Sequence, residues 1–207
     1  DGQTERRIKD FLEKIPSGVK VVAATKCRSI ELVSECPAHG IFAAGENRVQ
    51  ELLSKYQPVE GLEWQFIGQL QTNKVKYILD KVSLIQSLDR VSLADKLEEE
   101  CAKRGLTMPV LVEVKHGEEL TRDGVSPDGL MAFAEYVKGK KHLTLNGLMT
   151  VMPLGSEKSA FLYKKTYKLF EKLRENFGSD IKWLSMGMSV DYLTAIENGS
   201  NMIRPGR

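Results

Sequence analysis

Long apolar runs are missing from this chain. Nothing in it approaches the roughly 20 consecutive apolar residues that carry a helix across a bilayer, so no membrane span is expected. Charge of one sign is missing too. The 30 Lys and Arg nearly cancel the 28 Asp and Glu, leaving a formal net charge of +2 over 207 residues. That balance gives no general reason to expect nucleic acid or an anionic membrane surface as a partner, although a local basic pocket is allowed. Cysteine and histidine are scarce, at three each. Cys27, Cys36 and Cys101 are irregularly spaced, and no Cys/His group has the spacing of zinc ligands, so neither a disulfide framework nor a metal site is expected. Free thiols suit a reducing cytoplasm. Residues 1–15 are charged and amphipathic and do not read as a signal peptide. No linker, low-complexity stretch or repeat interrupts residues 1–207, which read as a single domain.

What is present is a regular alternation. Eight short apolar runs recur, at 19–26, 40–46, 63–70, 83–88, 108–114, 143–151, 183–188 and 201–206. Most are continuously apolar rather than alternating, as strands buried on both faces are. Helical stripes lie between them: Val49, Leu52, Leu53 and Tyr56; Leu93, Leu97 and Cys101; and Leu162 through Phe177. Ser126 before Pro127 and Ser189 before residues 190–198 are candidate N-caps, and Gly199 stands where a left-handed helix end is expected. Eight strands alternating with helices predict an α/β fold, a small (β/α)8 barrel of TIM type, with an open doubly wound sheet as the alternative. Residues 5–15 would form a helix covering the lower end of the barrel.

In such a barrel chemistry belongs at the C-terminal ends of the strands. The first run, "VVAATK", ends on Lys26 and turns polar at once with Cys27, Arg28 and Ser29. A lysine there is either a solvated rim residue or an amine displayed at a site. Desolvated, or set near a cation such as Arg204, it would form a Schiff base with an aldehyde. The second run ends on Gly45, Glu46 and Asn47, and the third leads into Gln69, Gln71, Asn73 and Lys74. "GMSVD", 187–191, opens a helix. Its free N–H groups would suit a phosphate, or Ser189 is simply a cap. Gly206 would let a backbone approach the same anion closely. Lysine, arginine and a phosphate cradle are the parts that pyridoxal phosphate requires.

"ATK" at 24–26, "AGENRVQE" at 44–51, "WQFIGQLQTNK" at 64–74, "GLMTVMP" at 147–153 and "LSMGMSVDYLTAIENGSNMIRPG" at 184–206 closely resemble the YggS/PROSC family of pyridoxal phosphate homeostasis proteins. The resemblance runs over nearly the whole chain and implies a single barrel similar to the N-terminal domain of alanine racemase. It implies that Lys26 holds pyridoxal phosphate as a Schiff base and that Asn47 lies beside the cofactor. Ser189 and the turn from Met186 to Met188 would meet its phosphate and ring, Gly206 its phosphate, and Arg204 its pyridine nitrogen. An arginine facing that nitrogen keeps it unprotonated, which weakens the ring as an electron sink and suits carriage or racemization. Arg207 departs from the family's usual threonine, and its own pairing with phosphate is the expected substitute. The implied task is intracellular buffering and delivery of the cofactor to pyridoxal phosphate-dependent apoenzymes, by a monomer, without robust turnover. The alternative is a weak amino-acid racemase. Racemization needs a second base, which alanine racemase draws from a further domain, and Tyr163 and Tyr192 are expected to be packing or surface residues. His116, in "VKHGEELTRDG", is expected on an exposed loop.

Overall fold

The apolar runs pair edge to edge into one parallel sheet. In the computed structural model, which describes residues 2–117, 124–153 and 157–206, each run contains strand: β1 Lys20–Val21, β2 Ala23–Ala24, β3 Ala43–Glu46, β4 Glu63–Phe66, β5 Leu84–Leu88, β6 Met108–Glu113, β7 Leu143–Met149, β8 Trp183–Ser185 and β9 Met202–Ile203. The order is β1-β9-β8-β7-β6-β5-β4-β3-β2. Only Val22 separates β1 from β2, and its N–H donates to the Ile203 carbonyl at 2.9 Å. The two are halves of one strand, paired with β9 on one side and β3 on the other. Counted so, the nine segments make eight strands, and the sheet closes into a barrel.

The connecting helices are α1 Gly2–Glu13, α2 Ile30–Ser34, α3 Val49–Lys55, α4 Val91–Arg104, α5 Leu130–Lys138, α6 Ser159–Phe177 and α7 Tyr192–Glu197. After β4 a 3-10 segment, Thr72–Tyr77, stands in place of an α-helix. Among the described residues no helix is long and apolar enough to cross a membrane. α1 buries no residue fully. It rests Phe11 edge-on against Tyr192 of α7, ring centroids 5.0 Å apart, and Leu12 lies close to Gly40 beyond α2. It therefore bridges the units on either side of the closure.

Alternation along each strand splits the apolar side chains into two cores. Val22, Ala43, Leu84, Leu111, Met149 and Met202 fill the barrel interior. A larger core between sheet and helices takes Leu52, Leu93, Leu97, Phe170 and Leu173 among others, each fully buried leucine or phenylalanine contributing about 1.5–3 kcal/mol. The stripes on α3, α4 and α6 are thus accounted for by packing. Leu53 is the exception and stays exposed.

Three local expectations change. Ser189 does not cap α7. Asp191 occupies the N-cap position, and the Ser189 hydroxyl accepts from the Gly206 N–H at 2.8 Å instead. Ser126 accepts from the Gly129 N–H at 3.1 Å, but this forms a lead-in turn, and α5 itself begins at Leu130. Gly199 does end its helix in the left-handed region, at φ 104°. His116 is buried rather than exposed, with 6% of its surface accessible. It packs against α6, where its Nε2 lies 2.6 Å from the Thr166 hydroxyl. That hydroxyl already donates to the Leu162 carbonyl at 2.7 Å, so Nε2 must carry the proton and Nδ1 is left as a buried, unpartnered acceptor.

Two predictions follow from this packing. Gly147 has φ 146°, and a Cβ there would lie 1.8 Å from the Trp183 carbonyl oxygen. Gly147→Ala is expected to cost more than about 3 kcal/mol in urea denaturation. Burial, with Lys165 adding to it, pushes His116 down to about 4. A base with a depressed folded-state pKa stabilises the fold fully only above its unfolded value near 6.5. That contribution, on the order of 3 kcal/mol, is lost as pH falls from there towards 4. Stability curves over this window should be flatter for His116→Gln than for the wild type.

Candidate functional site

The seam of the barrel brings distant segments together. The Ala24 N–H donates to the Pro205 carbonyl at 2.8 Å, and the Thr25 N–H to the Gly45 carbonyl at 3.1 Å. The strand leading to Lys26 is therefore held between the chain around Gly206 and the chain leading to Asn47. Lys26 and Asn47 are both exposed at the rim. Thr25 is buried, and its hydroxyl donates to Glu46 on the helix side of the sheet. Lys26 follows β2 as the first residue of a turn in which the Arg28 N–H donates to the Thr25 carbonyl at 3.0 Å. Lys26 makes no hydrogen bond or ion pair with the described residues.

Behind Lys26 lies an ionic cluster that the sequence reading missed. Lys55, on α3, is 8% exposed and Glu46 is fully buried, 2.9 Å apart. The Lys55 ammonium also donates to Glu51 at 2.8 Å and to the Thr25 carbonyl at 2.8 Å. Glu51 accepts from the Cys27 N–H at 2.6 Å. Burial works to raise the Glu51 carboxyl, but the bonds from Lys55 and from Cys27 outweigh it and hold the group below its ordinary range. Glu46 and Glu51 belong to "GENRVQE", so two of the three ionic residues lay in a motif already noticed; Lys55 lies four residues beyond it.

Inside the barrel a directed chain of donors crosses the interior. Arg204 donates to the Ser185 hydroxyl and, at 2.9 Å, to the Thr150 carbonyl. Ser185 donates to Gln86 Oε1 at 2.6 Å, and Gln86 Nε2 donates to Gln65 Oε1 at 2.7 Å. Burial pushes the Arg204 guanidinium down to about 10, so it stays charged at neutral pH. Ser185, Gln86 and Gln65 sit within apolar runs; Gln65 and Ser185 also fall in the quoted motifs, whereas nothing but its polarity marked Gln86.

On the far side of the seam Ser189 and Gly206 are joined directly. Asp191 fixes the turn before them. One of its oxygens accepts from the Met188 N–H at 2.8 Å, the other from the Tyr163 hydroxyl at 2.6 Å. Tyr163 is buried, and burial together with Asp191 raises its phenol far above the usual range. Met188 is exposed on the turn, whereas the Met186 side chain is wholly buried in the core between sheet and helices. The structure thus brings Lys26, Asn47, Ser189, Arg204 and Gly206 to one end of the barrel and directs the Met186 side chain away from it. Arg207 lies outside the described residues. The rim beyond β4 is tied down as well. Arg90 donates to the Leu70 carbonyl at 2.5 Å, Asp89 accepts from the Gly124 N–H at 3.0 Å, and a Cβ on Gly68 would lie 2.0 Å from the Asn47 carbonyl oxygen.

Comparison with known proteins identifies the family and the fold. The model of the alanine racemase N-terminal domain family matches residues 2–207. The pyridoxal phosphate homeostasis protein of Aquifex aeolicus is 39% identical over 207 aligned residues, covering 97% of this chain and 91% of that protein. Its counterpart in Haemophilus influenzae is 34% identical, covering 91% and 82%. Among solved structures, PipY of Synechococcus elongatus with pyridoxal phosphate bound superposes with a TM-score of 0.86 at 27% identity, over 98% of this chain and 97% of that one. An alanine racemase of Clostridium difficile shares the fold, with a TM-score of 0.78 at 17% identity, and this chain spans 55% of its length. By sequence and by fold, then, the chain belongs to the pyridoxal phosphate homeostasis protein family and is built on the alanine racemase N-terminal domain.

Proposed function

We propose that this protein holds pyridoxal 5'-phosphate at the mouth of the barrel through a Schiff base to Lys26, and that it buffers the cofactor and delivers it to apoenzymes. The observation that carries this reading is the seam: one backbone hydrogen bond, Ala24 to Pro205, sets an unpartnered lysine beside the segment that bears Arg204 and Gly206. The donor set fits the cofactor. A Cβ at Gly206 would meet only the Ser189 hydroxyl, at 3.8 Å, so the backbone there is open to a close approach. The Gly206 N–H is spent on the Ser189 hydroxyl, and that bond holds the Ser189 O–H as a donor suited to an anionic oxygen. The relatives' names, and the cofactor in the PipY structure, support the same ligand.

Pyridoxal phosphate supplies an aldehyde that condenses with a primary amine and a ring that withdraws electrons. The chain's own residues would do the rest. Lys26 provides the amine. Ser189 and Gly206, and Arg207 beyond them, orient the phosphate. Asn47 stands on the other flank, and the turn from Met186 to Met188 contributes backbone. Arg204, held by Ser185 and Thr150, keeps a fixed positive charge beneath the mouth and so leaves a ring nitrogen facing it unprotonated. Carriage is better supported than racemization, because the Tyr163 hydroxyl is committed to Asp191 and Tyr192 packs on Phe11.

Borohydride reduction after incubation with pyridoxal phosphate, followed by digestion and mass spectrometry, tests this reading. A phosphopyridoxyl group on Lys26 is expected, with labelling reduced at least about tenfold in Lys26→Ala. Folded wild-type protein that carries no label, or carries it elsewhere, would overturn the assignment.

A further inference from the structure

We infer that Lys55, acting with Glu46 and Glu51, is a positioning residue that presets the backbone on both sides of Lys26. The inference rests on Lys26 being the cofactor lysine. The two peptide groups that flank the Lys26 Cα are gripped separately. The carbonyl before it, that of Thr25, accepts from the Lys55 ammonium at 2.8 Å; the amide after it, that of Cys27, donates to Glu51 at 2.6 Å. Lys55 and Glu51 are themselves paired at 2.8 Å, and Lys55 is tied to the wholly buried Glu46 at 2.9 Å. Thr25 adds a side-chain bond to the same Glu46. These side-chain contacts all lead back to one ammonium on α3, and they add to the backbone bonds from the Thr25 N–H to Gly45 and from the Arg28 N–H to the Thr25 carbonyl.

Backbone geometry shows why a clamp is needed. Cys27 has φ 63°, the one non-glycine residue in the left-handed region among those described. A side chain is held there only where its surroundings over-determine it. The turn closed by the Arg28 N–H on the Thr25 carbonyl at 3.0 Å and the clamp together supply that determination within one residue of Lys26. The clamp also separates two lysines that stand close in the fold. The Lys55 ammonium is committed to hydrogen bonds with the Thr25 carbonyl and Glu51 and to an ion pair with Glu46. Lys26 has none of these partners, so it is the amine left available to an aldehyde. The clamp lies on the helix side of the sheet, so its action passes through the orientation of Lys26.

Glu51 gives the clean test, because its side chain is 24% exposed whereas removing Lys55 would strand a buried Glu46. Apo protein would be compared as wild type, Glu51→Ala, Glu51→Gln and Lys55→Arg. Three quantities would be read: thermal midpoint, hydrogen exchange at the Cys27 amide, and the Kd for pyridoxal phosphate with borohydride trapping at Lys26. In Glu51→Ala the apo midpoint should move by only a few degrees, about what a partly exposed ion pair contributes. Exchange at Cys27 should accelerate at least about tenfold, and the Kd should rise about tenfold. Glu51→Gln keeps an acceptor for the Cys27 amide and should recover most of the loss. Lys55→Arg keeps the charge beside Glu46 without the compact three-way contact and should fall between. A Kd and trapping yield in Glu51→Ala equal to wild type would overturn the positioning role while leaving the cofactor reading intact. Absence of a Lys26 adduct in the wild type would remove the cofactor reading itself, and this inference with it.

Discussion

Closure of the sheet at residues 20–24 is the constraint on which the rest of the structure depends. This short strand pairs with β9 on one side and β3 on the other, so it satisfies backbone groups that would otherwise form two open edges. The same hydrogen bonds that close the barrel decide which residues meet. Segments about 180 positions apart in the chain become neighbours, because a parallel ladder fixes the register of both. The mouth is therefore assembled at the seam, by the last residues of the first and last strands.

Polar groups buried near that seam fall into two sets that face opposite ways. On the helix side, Glu46, Lys55 and Glu51 form a compact ion cluster against the backbone of residues 25–27. On the inner side, Arg204, Ser185, Gln86 and Gln65 form a chain in which each group donates to the next. Burying a charge is costly unless it is paired and bonded; both sets are paired, although one oxygen of the buried Glu46 has no hydrogen-bond partner. A chain of donors all running one way is also mutually polarising. The result is a mouth whose positive charge, at Arg204, is rigidly placed, and whose exposed amine, at Lys26, stands on a rigid backbone.

Much of this was legible in the residues. Continuous apolar runs marked every strand, because a parallel sheet covered by helices excludes water from both of its faces. Helical stripes marked α3, α4 and α6 for the same reason. The motifs around Lys26, Glu46, Ser189 and Arg204 pointed to the ends of the strands on which they lie. What failed were inferences about partners. Ser189 looked like a helix cap, since a serine before a helical stripe usually is one. The tertiary contact with Gly206 took its hydroxyl instead. His116 looked exposed in a polar loop, but α6 packs over it. Met186 sits in a motif of the mouth, yet strand alternation turns its side chain into the outer core.

By itself, the sequence determined the strand-forming runs, their alternation with helices and the identity of the residues at their ends. It could do so because apolar periodicity and strand-end polarity are local signals, written over a few consecutive positions. The choice of a closed barrel over an open doubly wound sheet came from the resemblance, and the strand order from the structure. Only the tertiary structure decided which of those residues face inward together, and that Lys55, an ordinary lysine in a helical stretch, grips the backbone beside Lys26. That role depends on a salt bridge and two backbone hydrogen bonds across nearly 30 residues of chain. Such bonds exist only once α3 has packed against the sheet and water has been removed from between them.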